Sequence, residues 1–310
     1  MTKIKGIHHV TAIAGNARRN LEFYKEVLGL RLVKKTVNFD DPGTYHFYFG
    51  NGEGTPGTIL TFFPWEHIAR GVRGSAQSTE TAFRVPEGSF DFWIKRFEKY
   101  NVIYNKPSRR FDQSYLVFTD PDGLKLELVE TLDTVVTPYV KGEIPEEAAV
   151  AGFFYSTLTV NDYIRSAELL TDVFGYKLIA QEVNRYRYSS GEKVPGNVID
   201  LLHLPNEPRG RIAGGSVHHV AFRTESLESQ MTIRKKIQEF GLDPTPQIDR
   251  DYFMSIYFRE PQGVLFEIAT DPPGFTIDET LSELGSALKL PKQYEPRREK
   301  IESILPKLED

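Results

Sequence analysis

The sequence predicts an α+β protein in which four βαβββ units form two curled, half-barrel sheets. The chain length, an internal duplication and the repeated order of elements within each half predict this fold. The chain has 310 residues, which at roughly 150 residues per domain suggests two compact bodies. Its 40% hydrophobic and 26% charged residues and mean hydropathy of -0.38 are typical of a globular protein with a buried core.

Composition excludes several classes of function. The chain has no cysteine, which excludes disulfides, thiolate metal sites and a cysteine nucleophile and fits a cytoplasmic protein. The net charge of -5 and the pI of about 5.9 do not indicate a nucleic-acid partner. No apolar run approaches the roughly 18 residues of a membrane span, and the N-terminus lacks an apolar signal core. We therefore expect no nucleic-acid or membrane partner and a cytoplasmic location.

The two halves of the chain are copies of one another. Residues 6–33 align without a gap on residues 152–179, and Gly29 then meets Gly175. Residues 114–128 align in the same way on residues 254–268. Internal repeats of this kind indicate repeated structural units. The halves are expected at 6–131 and 150–271, followed by a charged tail at 276–310.

Each half contains two units with the same order of elements. A β-branched strand comes first, as in IHHVTAI (7–13), and a helix follows, in which apolar residues recur at three- and four-residue spacing before Gly29. Two or three strands come next, and DPDG (120–123) and EPQG (260–263) predict tight turns between the last two. The units fall at roughly 6–63, 79–130, 152–204 and 216–270. One unit leaves a sheet face uncovered and must pair with another.

Equivalent positions of the four units suggest a metal centre. The first strands carry His9, Glu80, Tyr155 and His219, and the last strands of the second and fourth units carry Glu127 and Glu267. Pairing the first unit with the fourth brings His9, His219 and Glu267 together. Two imidazoles and one carboxylate with open positions are the ligand set of non-haem Fe(II) oxygenases. The sequence therefore predicts that units one and four pair around a metal and that units two and three pair separately.

Strand alternation decides which histidine of each pair faces the cavity. His9 shares a face with Thr11, and His219 shares one with a small alanine, so we expect these two rings to point inward. His8 and His218 are expected to orient the ligands or the substrate. A single strand histidine is more often structural, but two HHV triplets at matched repeat positions favour the metal centre. The remaining histidines, His46, His67 and His203, are interpreted as structural or adjacent to substrate.

Five segments of the chain together carry a family resemblance. They are GIHHVTAI (6–13), KKTVNFDDPGTYHFYFGNGEGTPGTILTFFPW (34–65), GSVHHVAFR (215–223), YFREPQGVLFEIATDPPGF (257–275) and LPKQYEP (290–296). These segments resemble the vicinal-oxygen-chelate (glyoxalase/bleomycin resistance/dioxygenase) superfamily. More narrowly, they resemble its ring-cleaving dioxygenases of hydroquinones and catechols, including bacterial quinone-stress enzymes. The resemblance covers essentially the whole chain and implies a duplicated vicinal-oxygen-chelate fold.

The resemblance also implies an activity, a cofactor and residue roles. It implies an extradiol-type non-haem iron dioxygenase that inserts O2 into a small aromatic diol, in quinone detoxification or aromatic degradation. Fe(2+) would bind His9, His219 and Glu267, with Mn(2+) left open. The residues around the ligands would be His8, Thr11, His218, Arg250 and Tyr257.

Two of these residues have plain structural alternatives. Tyr257 aligns with Val117 of the other half, so a hydroxyl stands there only in the half with the metal, but it could be an ordinary aromatic strand residue. Arg250, in the sequence DRDY, could form a surface ion pair. As catalytic groups, Tyr257 and His218 would donate or accept protons and Arg250 would stabilise negative charge.

Three rival functions share the fold. A glyoxalase-like isomerase typically uses a fourth protein ligand, whereas the last strand of the first unit offers only Thr58 and Thr61 as polar side chains. A thiol transferase and a metal-free small-molecule-binding module are the other two. The sequence leaves a homo-oligomer open, and it predicts a packed surface helix for the tail, with a lid or dimer contact as the alternative.

Overall fold

The computed structural model describes residues 3–133 and 135–308 and contains two eight-stranded sheets. The first two units contain β1 (Ile7–Ala14), β2 (Arg31–Val37), β3 (Tyr45–Gly50), β4 (Ile59–Pro64), β5 (Gln77–Pro86), β6 (Ser108–Arg110), β7 (Gln113–Thr119) and β8 (Lys125–Thr131). The last two contain β9 (Phe153–Val160), β10 (Lys177–Glu182), β11 (Arg185–Ser189), β12 (Val198–His203), β13 (Ser216–Thr224), β14 (Ile248–Asp249), β15 (Phe253–Arg259) and β16 (Leu265–Pro273). The described helices are α1 (Ala17–Glu22), α2 (Phe90–Lys99), α3 (Ile164–Glu168), α4 (Leu227–Glu239) and α5 (Arg298–Ile304). The predicted α+β class and the repeated βαβββ units are confirmed.

Each sheet combines units from both halves of the chain. The strand order β14-β15-β16-β13-β1-β4-β3-β2 joins the fourth unit to the first, and β10-β11-β12-β9-β5-β8-β7-β6 joins the third to the second. The first strands of two units meet at the centre of each sheet, where β1 pairs with β13 and β5 pairs with β9, both antiparallel. The HHV segments of β1 and β13 are therefore neighbours.

Local sequence explains how the units turn. Asn16 caps α1 by accepting a hydrogen bond from the backbone N–H of Arg19 at 2.8 Å, and a π-helical turn continues the helix over Phe23–Val27. Gly123 and Gly263 have φ angles of 89° and 99°, as the tight turns between the last two strands require. Both predicted turns are confirmed.

The central strand pairs carry matched β-bulges, which the sequence did not predict. Between β1 and β13 the pairing slips by one residue at His8 and again at His218. Between β5 and β9 it slips at Thr79 and Phe154, the corresponding positions of the other sheet. A bulge re-aims the side chain of the extra residue. Both sheets therefore have the same local distortion at their centre.

The C-terminal tail packs along the edge of the first sheet. The backbone N–H of Lys289 donates to the carbonyl of Lys35 in β2 at 2.9 Å, and the fully buried Lys34 pairs with the carboxylates of Asp278 and Glu279. Among the tail residues up to 308, which the structure describes, only Arg298–Ile304 is α-helical, so the helix prediction holds for a small part of the tail. Within the described ranges, no helix is long and apolar enough to cross a membrane.

Candidate metal centre

Two histidines and one glutamate meet at the centre of the first sheet. The Nε2 atom of His219 lies 2.9 Å from Glu267 Oε2, and the Nε2 atom of His9 lies 3.3 Å from the same oxygen. The two Nε2 atoms are 3.3 Å apart. All three side chains are buried, and their ligand atoms fall within 4.8 Å of one another. The structure thus brings His9 together with two residues that lie more than 200 positions later in the chain.

The second nitrogen of each of these rings has its own partner. His8 Nδ1 lies 3.0 Å from His9 Nδ1, and His218 Nδ1 lies 2.8 Å from His219 Nδ1. The bulges at His8 and His218 make these contacts possible, because regular alternation would send neighbouring side chains to opposite faces. When His9 and His219 each donate a hydrogen bond from Nδ1–H, the Nε2 atom of each ring carries a lone pair that can bind a cation. Alternation alone would have separated the paired rings.

The donor set fits a divalent cation. Burial alone would raise the pKa of Glu267. The interactions with His9 and His219 outweigh burial and hold the pKa of Glu267 well below its usual range. Glu267 Oε1 accepts a hydrogen bond from the hydroxyl of Ser255, whereas the buried Oε2 faces the Nε2 atoms of His9 and His219. One carboxylate and two imidazoles that converge in a buried site are ligands that a divalent cation takes.

Arg250 and Tyr257 lie together beside this centre. Arg250 Nε donates to the Tyr257 hydroxyl at 3.3 Å, and Arg250 Nη2 lies 3.3 Å from a carboxylate oxygen of Asp40. Burial raises the pKa of Tyr257, and the negative charge of Glu267 adds to this. Tyr257 therefore keeps its proton at neutral pH. Because the hydroxyl accepts from Arg250, its proton remains available to another acceptor.

A cavity of about 390 Å³ opens above the three candidate ligands. Its walls are largely aromatic, and its polar groups come from both units of the sheet. The wall and polar residues are Asn38, Phe39, Asp40, Asp41, His46, Tyr48, Phe63, Trp65, His218, Arg250, Phe253, Tyr257 and Leu265. A concave, mostly apolar pocket with a few convergent polar groups is the usual form of a small-molecule site.

The loop at 38–41 forms part of this wall and was not assigned by sequence reasoning. Asp41 accepts hydrogen bonds from Trp65 Nε1 at 2.9 Å and from the Thr44 hydroxyl at 2.7 Å, and the Trp65 bond lowers the pKa of Asp41. The NFDDPG sequence at 38–43 lies within the segment that carried the family resemblance. Its turn residues gave no indication that the loop would reach the cavity.

The fourth corner of the centre is occupied by threonines. Thr11 and Thr61 are paired across β1 and β4, and their hydroxyl oxygens are 2.9 Å apart. Thr58 bonds instead to the loop that precedes it, through the carbonyl of Thr55 at 2.8 Å. Threonine hydroxyls are not among the usual protein ligands of zinc or iron, which are imidazole, carboxylate and thiolate groups. Thr11 is fully buried beneath the centre and supports the wall through Thr61.

The three remaining histidines have different surroundings. His46 lines the cavity. His67 is exposed. His203, at the end of β12 in the other sheet, contacts the carbonyl oxygen of Asn161 at 3.0 Å through Nε2. Of the three, only His46 is adjacent to the candidate site.

The corresponding centre of the second sheet is filled by ion pairs. Arg110 Nη1 lies 3.0 Å from Glu127 Oε2 and donates to the Tyr155 hydroxyl at 2.7 Å. Glu80 is paired with Arg185 at 2.9 Å and with Lys125 at 2.6 Å. The charges of these bases lower the pKa of Glu80 to about 2, although burial opposes the shift. Guanidinium and ammonium groups therefore neutralise the acids that occupy the equivalent metal positions.

Comparison with known proteins places the chain in a family. Residues 6–128 and 152–268 match the Glyoxalase/Bleomycin resistance protein/Dioxygenase superfamily, and the chain belongs to it. Over 303 residues the chain is 48% identical to "Putative ring-cleaving dioxygenase MhqO" of Bacillus subtilis, covering 98% of this chain and 96% of that protein.

Two further relatives cover nearly the whole chain. The chain is 33% identical over 306 residues to the chlorohydroquinone/hydroquinone 1,2-dioxygenase of Sphingobium indicum, covering 96% of this chain and 95% of that protein. The crystal structure of a "putative dioxygenase" from Bacillus subtilis superposes with a TM-score of 0.96 at 47% identity, covering 100% of this chain and 99% of that one. The family expected from the sequence motifs is thus confirmed.

We expect His46 to make the metal-free protein sensitive to acid. Burial holds the pKa of His46 well below its usual range, and repulsion from His9 and His219 adds to this. Below about pH 6.5 the unfolded chain binds a proton at this ring and the folded chain does not, so stability falls as the pH falls. One such group contributes about 1.4 kcal/mol per pH unit.

His46→Asn should therefore make the slope of unfolding free energy against pH shallower by about this amount between pH 6 and 5, measured by urea denaturation. His67→Asn is the control, because an exposed ring is in water in both states. An unchanged slope in His46→Asn would show that the ring is protonated in the folded protein.

Proposed function

We propose that the chain is an Fe(II)-dependent ring-cleaving dioxygenase that inserts O2 into a hydroquinone- or catechol-type aromatic. The observation that carries the proposal is the buried group of His9, His219 and Glu267 at the base of an aromatic-walled cavity. Full-length relatives designated as ring-cleaving dioxygenases support it. The corresponding biological role is quinone detoxification or aromatic degradation.

The metal would be held by the Nε2 atoms of His9 and His219 and by the carboxylate of Glu267. When bound there, Fe(II) supplies Lewis acidity toward a phenolic oxygen and one-electron chemistry toward O2. His8 and His218 keep the ligand rings oriented through their Nδ1 contacts. Mn(II) has the same charge and similar preferences for nitrogen and oxygen ligands, so it belongs in the same test.

The residues around the cavity can move and hold protons. Burial lowers the pKa of His218 to about 3, so its imidazole is neutral. When its Nδ1 atom accepts from His219, its Nε2–H can donate a hydrogen bond to a substrate oxygen. Tyr257 stays protonated and can donate a hydrogen bond to an oxygen that gains charge. Arg250, which bonds the Tyr257 hydroxyl, adds a positive charge next to the same position.

The aromatic walls suit a flat ring. Phe63, Trp65 and Phe253 line the cavity, and Phe253 also contacts His9, with ring centroids 5.0 Å apart. Such surfaces bind an aromatic ring by stacked or edge-to-face contact and reduce the access of water. The threonine pair at the fourth corner disfavours the isomerase alternative, because it adds no fourth side-chain ligand of the usual kinds.

Oxygen uptake tests the proposal. Protein loaded anaerobically with Fe(II), and in parallel with Mn(II), is mixed with methylhydroquinone or catechol, and O2 consumption is followed with catalase present. We expect one O2 consumed for each ring opened, and two labelled atoms in the product when ¹⁸O2 is used. Protein without metal corrects for autoxidation.

The product distinguishes the finer possibilities. Extradiol cleavage of catechol leaves one aldehyde and one carboxylate, whereas cleavage between the two hydroxyl carbons leaves two carboxylates. Turnover of glutathione–methylglyoxal hemithioacetal without O2 would instead support an isomerase. Tight binding of the aromatic with no turnover under any metal would support a binding protein and overturn the proposal.

A further inference from the structure

We propose that His46 binds a ring hydroxyl of the aromatic substrate through its Nδ1 atom; the inference rests on the proposed function. The side chain is 7% exposed and lines the cavity above the candidate ligands. Its Nδ1 atom is buried and has no hydrogen-bond partner among the described residues. A buried polar atom without a partner costs stability unless a ligand or water satisfies it.

The ring of His46 is fixed from three sides. Its Nε2 atom lies 2.9 Å from the hydroxyl oxygen of Thr61, which is in turn paired with Thr11. The rings of Tyr48 and Phe63 pack against it, with centroids 4.0 and 4.4 Å away. With one nitrogen anchored and its sides packed, the ring presents the other nitrogen in a set direction. Pre-organisation of this kind reduces the entropy lost on binding.

His46 is separate from the metal ligands. It does not belong to the group of described side chains that could hold a cation. It extends from β3, on the wall contributed by the first unit, whereas His219 and Glu267 come from the fourth unit. A ring held at the metal would therefore meet His46 across the cavity, where a substituent other than the metal-bound oxygen can be contacted.

A hydroxyl is the group that suits this nitrogen in either protonation pattern. If Thr61 donates to Thr11, it accepts from His46 Nε2–H, and Nδ1 is then an acceptor. If Thr61 instead donates to Nε2, Nδ1 carries the proton and is a donor. A hydroxyl can donate or accept, whereas a methyl group can do neither. His46 would thus distinguish an aromatic diol from a phenol of the same shape.

Binding measured without turnover tests this inference. Dissociation constants for hydroquinone and for 4-methylphenol, which replaces one hydroxyl with a methyl group, are measured anaerobically on the Fe(II)-loaded protein. Trp65 lines the cavity, so its fluorescence reports binding. In His46→Phe, the preference for hydroquinone over 4-methylphenol should fall about fivefold to tenfold, as expected for one hydrogen bond. Metal content should not change.

Two amide variants separate the two nitrogens of the ring. Asn places an amide near the position of Nδ1, and Gln places one near Nε2, so His46→Asn should keep most of the preference and His46→Gln should lose it. This comparison remains informative if His46→Phe fails to fold. His203→Phe is the control, since this histidine lies in the other sheet and should leave the preference unchanged.

The outcomes separate the two proposals. If the unaltered protein binds hydroquinone and His46→Phe keeps the same preference within twofold, His46 does not bind the hydroxyl and the proposed function stands. Equal preference in the Asn and Gln variants would also overturn the inference. If the unaltered protein binds neither compound and consumes no O2, the proposed function and this inference fail together.

Discussion

Glu267→Gln should lower the affinity of the protein for Fe(II) by more than about 100-fold. Residues that only support a ligand typically change metal affinity 10- to 100-fold when mutated, and Glu267 would be a ligand itself and the one anionic member of its group. The amide keeps the size of the side chain but removes the charge that faces His9 and His219. Metal bound per chain after anaerobic equilibrium dialysis measures the effect, and O2 uptake should fall with it.

The duplicated fold provides a matched control for this substitution. Glu127→Gln makes the same change at the equivalent position of the second sheet, where Arg110 rather than a metal faces the carboxylate. Its metal content should equal that of the unaltered protein, with folding verified by thermal unfolding. A Glu267→Gln protein that retains full iron and full turnover would refute the ligand assignment.

Arg110→Met should destabilise the protein by about 3 kcal/mol while leaving metal binding intact. The substitution removes the guanidinium from a fully buried carboxylate, Glu127, whose remaining hydrogen bond among the described residues comes from the Tyr155 hydroxyl. Removing one partner of a buried ion pair typically costs about 3–5 kcal/mol, because the remaining charge stays buried and unpaired. Urea denaturation measures the change. Trp93 in α2 belongs to the same unit as Arg110, and its fluorescence reports on that unit when Trp65 is replaced by Phe.

A second substitution shows whether the unpaired charge is the cause. Arg110→Met combined with Glu127→Met removes both charges and should recover part of the lost stability, since apolar replacements of a buried pair are often neutral or stabilising. If Arg110→Met alone costs less than about 1 kcal/mol, water or another base must neutralise Glu127. The Fe(II) content of both variants should match that of the unaltered protein.

Much of the fold and the grouping of the candidate ligands could be predicted from the sequence. Because the units are repeated, the alignment placed His9 and His219 at equivalent strand positions before any pairing was known. Their chemistry then indicated which units must pair, since only the first and fourth supply two imidazoles. Strongly repeated patterns with chemically distinct residues carry this kind of long-range information.

The sequence could not predict the details that depend on side-chain reach and strand register. The extra residues at His8 and His218 follow no hydrophobic pattern, because a one-residue slip leaves alternation intact on either side. Arg110 reaches the centre of the second sheet from an edge strand, and such contacts depend on the curl of the sheet. The absence of a hydrogen-bond partner at His46 Nδ1 among the described residues likewise becomes apparent only when the neighbouring side chains are in place.

The interleaved order of the units has a consequence for biosynthesis. The second and third units are consecutive, so every strand of their sheet has been translated by residue 203. The sheet of the first unit can be completed only after β13 and β16 have been translated, and Glu267 lies in β16. Domains begin to fold while the ribosome is still working. A nascent chain stalled before residue 267 would hold a finished scaffold and an incomplete set of candidate ligands.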